Sequence, residues 1–238
     1  LGLGYRDRRL LVTCAMPVPL EWLVAAGLGR ERVAGVALER GRVVATIERV
    51  HAQRVLATRE DVPTGELARA ALATLFLQGR LFKGARETAE ERLDRWSLAT
   101  RLTARGGLEP AQRGGETLEA RWPGGGPVPS LEAWIDARLA SLGIESGDDV
   151  ALLSRADLEP PDVPEGVRRR LDQAWPRSLD LGDAAYRMTY DLAAREVTLE
   201  KVQGVRKDPP PMALLPTFQG MRVVLLDRGR TVVLRERR

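Results

Sequence analysis

Cysteine and histidine are almost missing from this chain: Cys14 is its only cysteine and His51 its only histidine. One cysteine excludes an internal disulfide, and one of each excludes a zinc site built from Cys and His side chains. The same scarcity weighs against serine or cysteine hydrolase chemistry. A Cys14/His51 dyad is the one arrangement left, but "LLVTCAM" around the thiol reads as a small buried hydrophobe rather than an activated nucleophile. Apolar runs fall short of the roughly 18 residues that span a bilayer, and no charged start leads into an apolar segment with a cleavage site. A cytoplasmic setting is the expectation. No Gly-rich loop ends in Lys followed by Ser or Thr, so the phosphate cradle of a nucleotide hydrolase is missing too. "GLGYRD" has glycines without that lysine, and "GGGP" lies among prolines. The chain is therefore expected not to hydrolyse ATP by itself.

Lysine is scarce as well. Lys83, Lys201 and Lys207 are the only three, so 34 of the 37 basic residues are arginine, which reads as coding bias in a chain rich in Ala, Leu, Gly and Val. The location of the excess charge is more telling than the overall +4. Residues 221–238, "MRVVLLDRGRTVVLRERR", hold six arginines against Asp227 and Glu236, and the remainder of the chain sums to zero. A basic end on a neutral body concentrates potential toward an anionic partner.

The 238 residues, 44% of them hydrophobic, suffice for a substantial core. Periodicity predicts an α+β chain. "RVAGVALE", "RVVATIERV" and "QRVLATRE" are strand-like, the first two joined across Arg40 and Gly41 as a tight hairpin. From Pro63 the period lengthens. "PTGELARAALATLFLQGR" predicts a helix with Leu67, Ala70, Ala71, Leu75 and Leu77 on its apolar face and Thr64 as N-cap. "RETAEERLDRWSLATRLTAR" follows, with Leu93, Trp96, Ala99, Leu102 and Thr103 in register. "GGETLEARWPGGGPVP" is a loop anchored by Trp122. Ser130 caps "SLEAWIDARLASLG", with Leu131, Trp134, Ile135, Leu139 and Leu142 as its apolar stripe and Gly143 closing it. From Ser178 alternation returns: Tyr186, Met188 and Tyr190 share one face, and Val197 and Leu199 repeat it after a turn. "MRVVLLD" and "TVVLRER" predict a second hairpin. The expected segments are a small β-rich one over 1–62, a helical one over 63–176, and C-terminal antiparallel β-hairpins over 177–238 packed with the helices.

Three features invite a chemical reading. Asp148 beside Asp149 suits a magnesium or acid–base pair, yet adjacent acids at a helix start also serve capping and the helix dipole. Asp180 and Asp183 around Gly182 suit a turn. The basic cluster Arg222, Arg228, Arg230, Arg235, Arg237 and Arg238 suits phosphate contact, joined by Lys201, Arg206 and Lys207 if the hairpins are neighbours. Exposed arginine on strand edges equally guards against edge-to-edge aggregation. No exposed aromatic pair is evident for base stacking.

The order of these features resembles the C-terminal region of bacterial HrpB-type DEAH-box ATP-dependent RNA helicases. "RVVATIERVHAQRVLATRE" is similar to the segment leaving the OB-like, post-motor sheet, and "SLEAWIDARLASLG" to a helix bearing a Leu-x-x-Trp-Leu pattern. "VRRRLDQAWPRSLDLGDAAYRMTYD" resembles that family's Leu-Asp, Ala-Pro and Tyr series, and "VTLEKVQG" its apolar strand ending in glycine. The likeness runs from about residue 8 to about residue 204. It departs where Leu181, Gly182 and Asp183 replace a Pro-Ser-Gly turn, at "EKVQG", and in the tail. The resemblance implies a non-catalytic accessory region beside two motor domains of one parent chain, with ATP and magnesium held by that motor and no cofactor here. It accounts for Leu1 standing where a start methionine is expected, and it assigns no catalytic residue. RNA or DNA is the implied partner. A protein-interaction module without nucleic acid is the alternative, and a hydrolase with an unrecognised carboxylate site the third.

Overall fold

The structure, a computed structural model, describes residues 2–6, 9–14, 17–105, 111–113, 116–118, 120–227 and 229–236, and the side chains of 17–105, 120–218, 220–227 and 229–236. Along the chain, β1 (Gly2–Arg6) and β2 (Arg9–Cys14) pair antiparallel and are followed by the short helix α1 (Leu20–Ala25). Next come β3 (Arg30–Glu39), β4 (Arg42–His51) and β5 (Arg54–Asp61), then α2 (Gly65–Leu77) and α3 (Ala85–Ala104). The short pair β6 (Ala111–Arg113) and β7 (Glu116–Leu118) precedes α4 (Leu131–Ser141). After two 3-10 turns and α5 (Glu165–Ala174) come β8 (Ser178–Asp180), β9 (Ala184–Asp191), β10 (Glu196–Gly204), β11 (Arg222–Asp227) and β12 (Arg230–Arg235). The chain is α+β, as its periodicity predicts. Among the described residues no helix is long and apolar enough to cross a membrane. The residues form two compact units, Leu1–Ala89 with Ser130–Glu159 and Glu90–Pro129 with Pro160–Arg238.

In the first unit β3, β4 and β5 form an antiparallel meander. Arg40 (φ 49°) and Gly41 (φ 82°) both take the left-handed conformation that a two-residue hairpin turn demands. β4 alternates as a half-buried strand should, with Val43, Ala45 and Ile47 at most 2% exposed. α2 packs on β3, β4 and α4. Its buried stripe is Ala68, Ala71, Leu72, Leu75 and Phe76, while Leu67 and Leu77 are half-buried and Ala70 is exposed, so the inward face is rotated from the sequence expectation. Thr64 sits at the cap position without a side-chain cap bond. The first helical N–H, on Gly65, meets the Glu145 carbonyl at 2.8 Å. Ser130 does cap α4, its Oγ accepting from Ala133 N at 3.2 Å.

The second unit centres on a five-stranded sheet of order β12-β11-β10-β9-β8. Tyr186 and Met188 of β9, Val197 and Leu199 of β10, and Val223 and Leu225 of β11 are buried, the alternation expected of one covered face. The two C-terminal hairpins are antiparallel within themselves, but they join through β10 and β11 in parallel, from Glu196 opposite Arg222 to Glu200 opposite Leu226. Parallel neighbours need a long crossover, and residues 205–221 with their Asp-Pro-Pro-Pro run supply it. Trp96 is core, meeting Trp122 edge-on at 5.7 Å and donating from Nε1 to the Pro161 carbonyl at 2.8 Å.

Candidate nucleic-acid interface

Parallel pairing places the carboxyl ends of β10 and β11 side by side, with Lys201 near Asp227, and β12 begins at the same end with Arg230. The segment leaving β10 returns across this end. A Cβ on Gly204 (φ 112°) would overlap Asp183 O and Ala184 Cα and lie 2.9 Å from Ala184 Cβ, so only glycine admits the approach. Beyond it Val205 N donates to the Asp183 carbonyl at 3.0 Å. Arg206 then grips the Asp183 carboxylate with a fork, Nε to Oδ1 at 3.0 Å and Nη2 to Oδ2 at 2.9 Å. Lys201 Nζ donates to the Arg206 carbonyl.

These contacts enclose a hollow of about 500 Å3 lined by Lys201, Val205, Arg206, Lys207, Asp227 and Arg230. Lys207 and Arg230 are exposed, and among the described residues neither has a carboxylate partner. Beneath them Tyr186 is buried; its phenol is pushed up by that burial and by the nearby Asp183 and Asp227 carboxylates, with Arg206 opposing. Lys201, Arg206, Lys207 and Arg230, all candidates from the sequence, thus converge from β10, the crossover and β12. In open α/β sheets ligands gather at this end of parallel strands, where loops diverge and backbone groups are free.

Other candidates lie elsewhere. Arg222 pairs with Glu196 across the parallel register at 2.9 Å and approaches Glu236 at 3.6 Å. Arg235 donates to the Pro216 carbonyl at 2.8 Å and stacks over Phe218, its guanidinium carbon 5.6 Å from the ring centroid. Both serve the fold of their unit. Arg228, Arg237 and Arg238 lie outside the described residues. From the sequence Asp183 is legible only as a turn residue and Gly204 only as the end of an apolar strand, while Val205 carries no signal. Asp180 is the turn acid proper, its Oδ1 accepting from Gly182 N at 2.8 Å.

Both carboxylates of the acidic pair are engaged by protein groups. Asp148 is bound by Arg42 at 2.9 Å, and Asp149 Oδ2 accepts from the backbone of Glu145 and Ser146 at 2.9 and 2.8 Å in a capping box. Among the described residues no group of three or more His, Cys, Asp or Glu is placed to hold a metal ion. His51 is exposed at the end of β4, and the side chain of Cys14 lies outside those described. Comparison of the chain with protein-family models, curated proteins and solved structures finds no match.

Proposed function

We propose that this chain is a non-catalytic accessory region that holds the phosphate backbone of a nucleic acid in the hollow at the carboxyl ends of β10 and β11, on behalf of an ATP-dependent RNA helicase motor in the same parent protein. The observation that carries the reading is the pair Lys207 and Arg230, exposed without carboxylate partners on a hollow that already holds Lys201 and Arg206. Cations left unpaired and gathered from three segments gain by meeting phosphate, whereas Arg206, already neutralised by Asp183, shapes the rim. The RNA-helicase setting rests on the sequence resemblance. A cytoplasmic location belongs to that setting too.

Single-stranded RNA titrated onto the purified chain tests the reading. Two or three phosphates neutralised give a slope of log affinity against log salt of about −1.4 to −2.1, since each contributes about −0.7 on single strands. Absence of binding at low salt removes the nucleic-acid role and leaves protein interaction.

A further inference from the structure

The second unit holds another cavity, of about 280 Å3, between the later turns of α3 and the sheet. Ser97 and Arg101 stand one helical turn apart on one wall with Asp94, while Arg177, Thr189 and Tyr190 form the other. Leu98 and Leu192 supply apolar lining. Tyr190 offers its ring, since its hydroxyl is committed to the Pro176 carbonyl at 2.5 Å and burial pushes the phenol well above its ordinary pKa. Arg177 binds the Glu91 carbonyl at 3.2 Å and Asp94 at 3.3 Å, yet its buried Nε has no hydrogen-bond partner. That Nε is closed off from solvent, so a ligand oxygen would meet Arg177 elsewhere on its guanidinium.

We propose that this cavity binds a sugar phosphate, with the phosphate on Arg101 and Arg177 and the sugar hydroxyls on Ser97, Thr189 and Asp94. Two guanidiniums suit a phosphate, which accepts parallel N–H donors. A carboxylate in the same cavity opposes a bare anion but suits a ligand that brings O–H donors, because Asp94 keeps acceptor sites beyond its contact with Arg177. The ring of Tyr190 with Leu98 and Leu192 suits the C–H faces of a sugar. The cavity, of about 280 Å3, is larger than phosphate alone needs. This site is separate in its residues from the hollow of Lys207 and Arg230.

Calorimetry on the whole chain with ribose 5-phosphate, ribose and inorganic phosphate decides the matter, with Arg101→Gln, Thr189→Val and Lys207→Gln as variants whose folding is checked by circular dichroism. Ribose 5-phosphate is expected to bind saturably, roughly tenfold or more tighter than ribose or phosphate, and to weaken by about tenfold in Arg101→Gln and severalfold in Thr189→Val. Lys207→Gln leaves it unchanged, which separates this site from the RNA-binding reading. Competition by a 5′-phosphorylated oligoribonucleotide but not by its 5′-hydroxyl form identifies an RNA end as the source; competition by neither identifies a free sugar phosphate. Absence of saturable binding at roughly 10 mM, a Kd range of negligible affinity, overturns the proposal. It is equally overturned by phosphate binding as tightly as the sugar phosphate, or by an Arg101→Gln variant with undiminished affinity.

Discussion

The three-stranded sheet of the first unit and the end of the five-stranded sheet in the second are both rich in arginine, but they use it in opposite ways. On β3–β5 three arginines face acids: Arg32 meets Glu48 at 2.8 Å, and Arg49 and Arg59 share Glu31 at 2.8 and 2.5 Å. Around the hollow, Arg206 alone is matched by a carboxylate, while Lys207 and Arg230 face open space. An excess of arginine therefore says little about partners; what says more is which arginines the fold leaves without an acid. Exposed ion pairs stabilise by well under about 1 kcal/mol each, so the first sheet gains order from its lattice more than strength. Cations without an acid beside them keep their charge available to bind.

Breaking the first region should not touch the second. Ile47→Ala, which empties a fully packed site on β4, is expected to cost about 2–5 kcal/mol by urea denaturation while RNA affinity under folding conditions stays put. Gly204→Ala acts at the other end of the comparison: a side chain at φ 112° against Asp183 and Ala184 should cost on the order of 1–3 kcal/mol and weaken RNA binding together with stability. Lys207→Gln with Arg230→Gln should lower RNA affinity by about tenfold at low salt and flatten the salt slope by about 1.4, with stability within roughly 0.5 kcal/mol of the parent.

The smallest effect concerns acid. The hydrogen bond from Arg59 holds the Glu31 carboxyl below its ordinary 4.5; burial opposes it as the next-largest effect, and the hydrogen bond from Arg49 adds to the lowering. A depressed folded value means that folding favours the charged form. The stabilisation is complete above about pH 4.5 and fades as pH falls through the lower folded value. Glu31→Gln should therefore lower stability slightly at pH 7 and hardly at all at pH 3, measured by thermal melting.

Local features were legible in the sequence and long-range ones were not. The Arg40–Gly41 turn, the Ser130 cap and the alternation of Tyr186 and Met188 each depend on a few neighbouring residues, and the structure has all of them. The lattice on β3 and β4 is different. Counting back from the turn in even register places Arg32 opposite Arg49, a repulsive pair, but a bulge between Val33 and Gly35 shifts the strand so that Arg32 faces Glu48 and Glu31 faces Arg49. Nothing in the local spelling of Ala34 announces that bulge. The same holds for Asp148, whose partner Arg42 lies 106 residues away. Basic residues of the candidate interface could be named from composition, yet separating Lys207 and Arg230 from Arg222 and Arg235 required the parallel pairing of β10 with β11, which brings Glu196 to Arg222 and leaves the hollow at the far end.

The account turns on whether the unpaired cations of the hollow meet phosphate. Its most direct measurement is the salt dependence of single-stranded RNA binding for the parent chain beside the Lys207→Gln, Arg230→Gln double variant. The expected result is a parent slope of about −1.4 to −2.1 that is flattened by about 1.4 in the variant, to between about −0.7 and 0; equal slopes for the two proteins, or no RNA binding by either at low salt, would contradict it.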